Sequence, residues 1–289
     1  MKILLLGSTG QLGSDISREL SNSKTIDVYA PKSLELDLSK KNFIDKIYNT
    51  KFDYVINCTA IHDLNFSEKN KDLSYLINAD VPEKLAKYCE HNNSNLIHFS
   101  TDYVFDGNKK NSIEYTEQDS VRPLNIYGSS KVMGEKKIKS IFENYYILRI
   151  STLFGLTPPR GKKYNFIDAI INKFRNKEII KVVSDQISKP TSTLFVAKVV
   201  KEIIEKKFDN GIYHLTNNQS LSFYDYSIKI LKFLSSNFSI EKIAYDDLNF
   251  EVQRPKFSSL DSSKIYSRID TNNNLDFYLY NYIKKKHVK

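Results

Sequence analysis

The 289-residue sequence predicts an α/β protein, a doubly wound parallel sheet with a smaller α/β unit in its C-terminal half. Three observations carry this expectation. Short apolar runs alternate with stretches of helical period through the first 150 residues, which is how successive βαβ units read. A glycine-rich turn separates the first apolar run from the first helical period. Beyond residue 150 the helical stretches are divided by Gly-, Pro-, Asn- and Ser-containing breaks at 155–161, 184–190, 209–211 and 217–220, with no repeats and no low-complexity linker.

Taken in order, Ile3-Leu4-Leu5-Leu6 stops at Gly7 and reads as a strand buried on both faces. Leu12, Ile16 and Leu20 recur every fourth residue, the stripe of a helix packed on a sheet. Residues 26–30 read as the second strand, 43–48 as helical and 54–58 as the third strand. A helical stretch over 73–89 carries an expected kink at Pro82, which lacks a backbone N–H. Residues 95–99 and 145–150 complete the strands of this half. In the second half, 166–174, 196–204 and 224–233 read as helices and 212–215 as a strand. The expected division is a sheet unit over 1–150 and a second unit mainly over 151–289, with segments from roughly 165–210 returning to the first.

The chain carries 43 Lys+Arg against 34 Asp+Glu, a net charge of +9, and all of the excess falls after residue 150. A basic half is read as a surface for nucleic acid, an acidic partner or a polyanionic small ligand, or as a solvated face ending in Lys284-Lys285-Lys286-His287-Val288-Lys289. No basic–aromatic interleaving or reader motif supports nucleic acid. No apolar run approaches the roughly 18–20 residues needed to cross a bilayer, and the N-terminus has no secretory h-region, so no membrane partner and a cytoplasmic location are expected. Cys58 and Cys89 are too few for a disulfide framework and have no metal-ligand spacing. Both are expected to be small buried hydrophobes, and no metal site is expected.

Gly7, Thr9, Gly10, Gln11, Leu12 and Gly13 belong to a G-x-x-G-x-x-G turn between the first strand and the first helix. Glycine there lets backbone approach a pyrophosphate, whose charge is favoured by free N–H groups at the helix N-terminus. The turn opens a βαβ unit at the start of the sheet, so the first half reads as a dinucleotide-binding Rossmann unit. Cys58, Thr59 and Ala60, at the carboxyl end of the third strand, complete the expected cradle. The second strand ends in Tyr29-Ala30-Pro31-Lys32, without the carboxylate that usually binds a ribose 2′-hydroxyl. Lys32 tolerates a 2′-phosphate instead, which favours NADPH over NADH. Asp37, followed by Leu38, either caps a turn or approaches the adenine edge.

Thr101 follows the fourth strand, where a hydroxyl holds a substrate oxygen or caps a turn. Tyr127 and Lys131, at i and i+4, share one helix face. A phenol with a pKa near 10 is a poor proton donor or base at neutral pH, and a neighbouring ammonium lowers that value. Phosphate turn, hydroxyl and Tyr/Lys helix in that order point to proton transfer coupled to hydride transfer.

With these residues the chain resembles the extended short-chain dehydrogenase/reductases and, more narrowly, the dTDP-4-dehydrorhamnose reductase family. The resemblance lies in Ser100-Thr101-Asp102-Tyr103-Val104-Phe105-Asp106-Gly107 and in 123–135, around Tyr127-Gly128-Ser129-Ser130-Lys131. It continues in 185–191, 211–214 and 254–260 and spans essentially the whole chain. It implies reduction of the 4-keto group of a nucleotide-activated 6-deoxyhexose with NADPH, in the biosynthesis of cell-surface polysaccharide. By the same resemblance Tyr127 donates the proton, Lys131 lowers its pKa and binds the nicotinamide ribose, and Thr101 hydrogen-bonds the reacting oxygen. Asp102 and Tyr103 fall on the substrate side, and Arg254 holds the substrate diphosphate, unless it is only a surface arginine before a Pro turn.

Two positions depart from the family pattern. His62 stands where a substrate-side Thr is usual, and Thr152 where a Trp often flanks the sugar; the chain contains no Trp at all. The reaction type is therefore better specified than the sugar. Alternatives are a related nucleotide-sugar 4-ketoreductase or epimerase using another base or sugar, or a non-catalytic dinucleotide-binding subunit, since the family also resembles the regulatory subunit of methionine adenosyltransferase. The expected assembly is a monomer or homodimer.

Overall fold

A computed structural model describes residues 1–109, 113–159, 161, 163–235 and 237–288. Lys289 of the basic tail and Arg160 of the 155–161 break lie outside the described residues. The first half runs β1 (Lys2–Leu6), α1 (Gln11–Ser21), β2 (Asp27–Tyr29), β3 (Tyr54–Asn57), α2 (Leu64–Lys69), α3 (Lys71–Tyr75), α4 (Val81–Asn92), β4 (Asn95–Thr101), α5 (Ile126–Lys139) and β5 (Tyr145–Ile150). The second half contributes β6 (Leu153–Phe154), α6 (Phe166–Arg175), β7 (Lys181–Val183), β8 (Ile187–Ser188), β9 (Thr191–Ser192), α7 (Thr193–Lys206) and β10 (Gly211–His214). It ends with β11 (Leu221–Ser222), α8 (Phe223–Lys232), β12 (Glu241–Ile243), α9 (Ser263–Tyr266) and α10 (Leu275–His287).

Six of these strands form one parallel sheet in the order β10-β5-β4-β3-β1-β2. Alternate residues of each strand face opposite sides. Ile3, Leu5, Ile56, Ile97 and Leu148 enter a core closed by α1, α6, α7, α8 and α10. Leu4, Leu6, Val55, Leu96 and Ile147 enter a second core closed by α4 and the end of α5. Helices on both faces explain why the strands read as unbroken apolar runs. The short pairs β6–β9, β8–β11 and β7–β12 lie outside this sheet.

Several expectations need correction. Residues 43–48 form only a 3₁₀ turn, Phe43–Lys46. The stretch over 73–89 is broken ahead of Pro82 rather than kinked at it, because Leu76–Asp80 forms a π-helical turn and Pro82 sits in the first turn of α4. The break suits the sequence: a regular helix would need the N–H of residue 82 to pair with the carbonyl of Asn78, and proline has none. More chain returns to the sheet than 165–210, since β10 forms its edge and α8 and α10 cover one face. Cys89 is buried, but Cys58 is only half-buried at the end of β3. The basic tail is not simply solvated: Lys284–His287 is the last turn of α10, and Lys286 and His287 both bind the buried Asp168 at 2.8 Å.

Candidate active site

Neighbouring strands β1 and β3 mark the point where the sheet order reverses, since the chain builds outward to β2 on one side and to β4, β5 and β10 on the other. Such a reversal opens a crevice at the carboxyl ends of the strands. The turn after β1 and the segment after β3 meet there: a Cβ on Gly7, which has φ +78°, would lie 3.1 Å from the backbone of Cys58 and from Thr59 Cγ2. Gly13 admits no side chain either, because its Cβ would lie 2.2 Å from the Gly7 carbonyl oxygen. Gly10, the N-cap of α1, supplies no side-chain cap to the first helical N–H groups. Gln11 Nε2 is buried without a partner among the described residues. A backbone cradle with uncapped N–H groups and an orphaned amide fits the pyrophosphate of a dinucleotide.

The other expected cofactor residues divide. Thr9 is exposed at the turn, Thr59 and Ala60 are half-buried, and Leu12 packs into the core, which leaves its backbone as its means of contact. Lys32 is exposed just beyond β2. Asp37 accepts hydrogen bonds from Ser39 N (3.0 Å) and Ser39 Oγ (2.7 Å), and those bonds hold its carboxyl below the usual range. It closes a local turn, with Leu38 inside that turn.

At the carboxyl end of β4, Thr101 Oγ1 donates to Asp102 Oδ1 (3.1 Å) and accepts from Tyr103 N (3.2 Å). Asp102 is buried, and its second oxygen accepts from Ser151 Oγ (2.8 Å) and Ser258 Oγ (2.6 Å). Burial raises its pKa while the three hydroxyls oppose the rise. Its carboxylate is thus committed to joining β4, β5 and the 254–260 segment. Tyr127 lies beside Thr101 because α5 approaches the end of β4 closely: a Cβ on Gly128 would stand 2.2 Å from the Tyr103 carbonyl oxygen. The start of α5 is fixed by Asn125, whose Oδ1 accepts from Gly128 N (2.9 Å) and whose Nδ2 donates to Gln253 O (2.9 Å), and by Glu68, which accepts from Ile126 N (2.8 Å).

Burial pushes Tyr127 up to about 12; a hydrogen bond with Thr101 works against this and the charge of Asp102 with it. The Lys131 Nζ faces His98 Nε2 at 3.1 Å, and burial brings its own pKa down to about 8, with Glu135 and Cys58 opposing. Tyr127 therefore holds its proton at neutral pH.

Across the site, Tyr103 and Tyr127 meet edge to face at 6.0 Å. Burial raises the Tyr103 pKa; Arg254 lowers it, and Asp102, Tyr127 and Tyr245 add to the rise, so these groups form one cluster. Arg254 stacks over Phe250 at 4.1 Å, and its Nε is buried with no partner among the described residues. Tyr245 Oη holds the Arg254 backbone, accepting from its N (2.9 Å) and donating to its O (3.1 Å). His62 is exposed between β3 and α2, and Thr152 pairs with Ser188 at 3.0 Å. No group of three or more His, Cys, Asp or Glu side chains among the described residues is placed to hold a metal ion.

Sequence reasoning passed over His98, Ser151, Ser258 and Tyr245. His98 left a readable signal, a polar residue inside a buried strand, which needs a partner. The serines and Tyr245 left none, because their partners are distant in sequence.

Residues 1–276 match the RmlD substrate binding domain family. The chain is 33% identical over 276 residues to a dTDP-4-dehydrorhamnose reductase of Aggregatibacter actinomycetemcomitans, covering 91% of this chain and 92% of that protein. Among solved structures, the dTDP-4-dehydrorhamnose reductase of Clostridium acetobutylicum superposes with a TM-score of 0.90 at 32% identity, covering 99% of both chains. That of Bacillus anthracis, solved in complex with NADP, gives 0.88 at 26% identity, again over 99% of both.

Proposed function

This chain belongs to the RmlD substrate binding domain family, and from that premise we propose that it is an NADPH-dependent reductase of the 4-keto group of a nucleotide-activated 6-deoxyhexose, as dTDP-4-dehydrorhamnose reductases are. The observation that carries the reading is the convergence of Thr101, Tyr127 and Lys131 beside a backbone cradle suited to a dinucleotide. Reduced nicotinamide supplies the hydride that adds to the carbonyl carbon. The protein's part is to place the carbonyl oxygen between Tyr127 and Thr101. Tyr127, protonated at neutral pH, gives its proton to that oxygen, and the hydroxyl of Thr101, turned from Asp102 toward it, stabilises the charge that develops there. The Lys131 ammonium, at the inner end of the same helix face, favours the tyrosinate left behind.

The division of labour follows the sheet. Residues 1–150 hold the dinucleotide, with Gly7, Thr9, Gly10, Gln11, Leu12, Gly13, Cys58, Thr59 and Ala60 as its cradle and Lys32 favouring the 2′-phosphate. Segments after 151 hold the sugar nucleotide, with Arg254 and its unpaired Nε at the diphosphate and His62, Tyr103 and Thr152 toward the sugar. Asp102 acts by fixing these walls. The reading goes with a cytoplasmic enzyme of polysaccharide biosynthesis, monomeric or homodimeric.

The test is NADPH oxidation with dTDP-4-dehydro-L-rhamnose and other nucleotide 4-ketosugars. Tyr127→Phe should lose at least about 10²-fold in turnover, the low end for general acid catalysis, while still binding NADPH. If no such ketosugar oxidises NADPH above the Tyr127→Phe background, the reductase assignment is wrong.

A further inference from the structure

A buried chain of polar groups runs from the cofactor cradle to the lysine of the site. Thr59 N and Thr59 Oγ1 both donate to Asn57 Oδ1, at 3.1 and 2.6 Å. Asn57 Nδ2 lies 3.2 Å from His98 Nδ1, and His98 Nε2 lies 3.1 Å from Lys131 Nζ. Asn57, His98 and Lys131 are 1%, 0% and 1% exposed, so water does not arbitrate among them. A backbone N–H can only donate, which fixes the Asn57 amide with its oxygen toward Thr59 and its NH₂ toward the imidazole. His98 Nδ1 must then accept. A neutral imidazole has one N–H, so that hydrogen is on Nε2 and points at Lys131.

We propose that His98 is a positioning residue for Lys131: the Thr59–Asn57 clamp locks its imidazole as the Nε2–H tautomer, so that it offers the lysine nitrogen a donor and accepts nothing from it. The neutral amine of Lys131 is matched by this donor, whereas the ammonium meets an N–H head on. The clamp therefore pushes Lys131 toward proton loss, in the same direction as burial. The other groups around the lysine do not reverse this. Glu135, on the same helix, favours the ammonium, but its carboxylate is engaged by Arg149 at 2.9 and 2.7 Å. Cys58, at the end of β3, favours the ammonium more weakly still. His98 stays uncharged, its pKa driven well below the ordinary value by burial and then by Lys131. The consequence for catalysis rests on the assignment of Lys131 above: as it loses its proton, support for the tyrosinate is lost, so reduction should fall off on an alkaline limb set by this lysine.

Two measurements test this. In the cofactor-free protein with ¹⁵N-labelled histidine, the imidazole signals missing from His98→Gln should be those of an Nε2–H tautomer at neutral pH. An Nδ1–H tautomer or an imidazolium overturns the proposal, whether or not the protein reduces a ketosugar. In the pH profile of kcat/KM, His98→Gln, whose amide can turn its oxygen to the ammonium, should move the alkaline limb up by about one pH unit, the scale of such hydrogen-bond and charge effects. A uniform loss of activity with the limb unmoved would mean that His98 only fills space.

Discussion

Arg254, proposed above for the substrate diphosphate, is held firmly by its neighbours. Its Cζ stacks 4.1 Å over Phe250, Tyr245 holds its backbone at both N and O, and its Nε is buried without an acceptor among the described residues. A buried donor left unpaired costs about 1–3 kcal/mol, which a bound phosphate oxygen recovers. Hydrogen bonds to charged groups are worth about 1.5–3 kcal/mol, or about ten- to a hundredfold in binding. Arg254→Ala should therefore raise KM for the sugar nucleotide by about that factor with kcat little changed. Arg254→Lys should recover only part, since an ammonium keeps the charge but not the planar fork. Steady-state kinetics decide it, and an unaltered KM in the alanine variant removes Arg254 from the diphosphate site. The arginine itself stands out in the 254–260 motif, as a candidate only. Tyr245 and Phe250, which immobilise it, do not, because nothing in their local sequence sets them apart from surface aromatics.

At the scale of elements, α10 is the instructive case. Leu275, Tyr278, Leu279, Tyr282 and Ile283 recur at the spacing of a buried helical stripe and enter the larger core. That stripe is absent from the helical stretches expected from the sequence, and the run of lysines after it reads on its own as solvated charge. What turns the run inward is Asp168, 1% exposed, whose partners in the tail are more than a hundred positions away. Its carboxylate accepts from Tyr282 Oη (2.6 Å), Lys286 Nζ and His287 Nε2, and it closes the capping box of α6 with Asn165. Burial alone would raise its pKa, but Lys286, Tyr282 and His287 together carry it below the ordinary 3.8. A carboxylate lowered on folding stabilises the native state above its unfolded pKa, and that contribution is lost as pH falls through the folded value. Asp168→Asn should cost on the order of 3 kcal/mol at neutral pH by leaving the lysine and the tyrosine hydroxyl poorly paired. The gap to wild type should begin to narrow below about pH 4, where the unfolded chain takes up the proton while the native carboxyl still holds its charge, and should close as pH falls through the lower folded value. Urea unfolding at pH 7 and pH 3.5 measures both. Equal midpoints at pH 7 would return the tail to the status of solvated charge.

Across the whole molecule, the sheet and the order of its motifs were legible because each depends on local pattern: apolar runs for strands, periodic stripes for helices, glycines where backbones must approach. The web beneath the site was not, because Asp102 with Ser151 and Ser258, or His98 with Asn57 and Lys131, are pairs that exist only once β3, β4, β5, α5 and the C-terminal segment are assembled. The cost of that assembly falls on Lys131. Burial, the main cause, lowers its pKa from 10.5 to about 8, and each unit corresponds to about 1.36 kcal/mol, so holding the charge inside the fold costs on the order of 3 kcal/mol. The sign runs opposite to that of a paired surface lysine. Below pH 8 both folded and unfolded chains bind the proton and the full cost is present. Between pH 8 and 10.5 the unfolded chain binds more protons than the native one, so stability rises with pH until the cost is gone. Lys131→Met fills similar volume without a charge to bury. It should unfold at a higher temperature than wild type at pH 7, with the difference shrinking as pH approaches 10, while ketosugar reduction is lost. Thermal unfolding of the two proteins at pH 7 and pH 10 makes the comparison. If they melt together at pH 7, Lys131 carries no charging cost and the site has been assembled without a trade against stability.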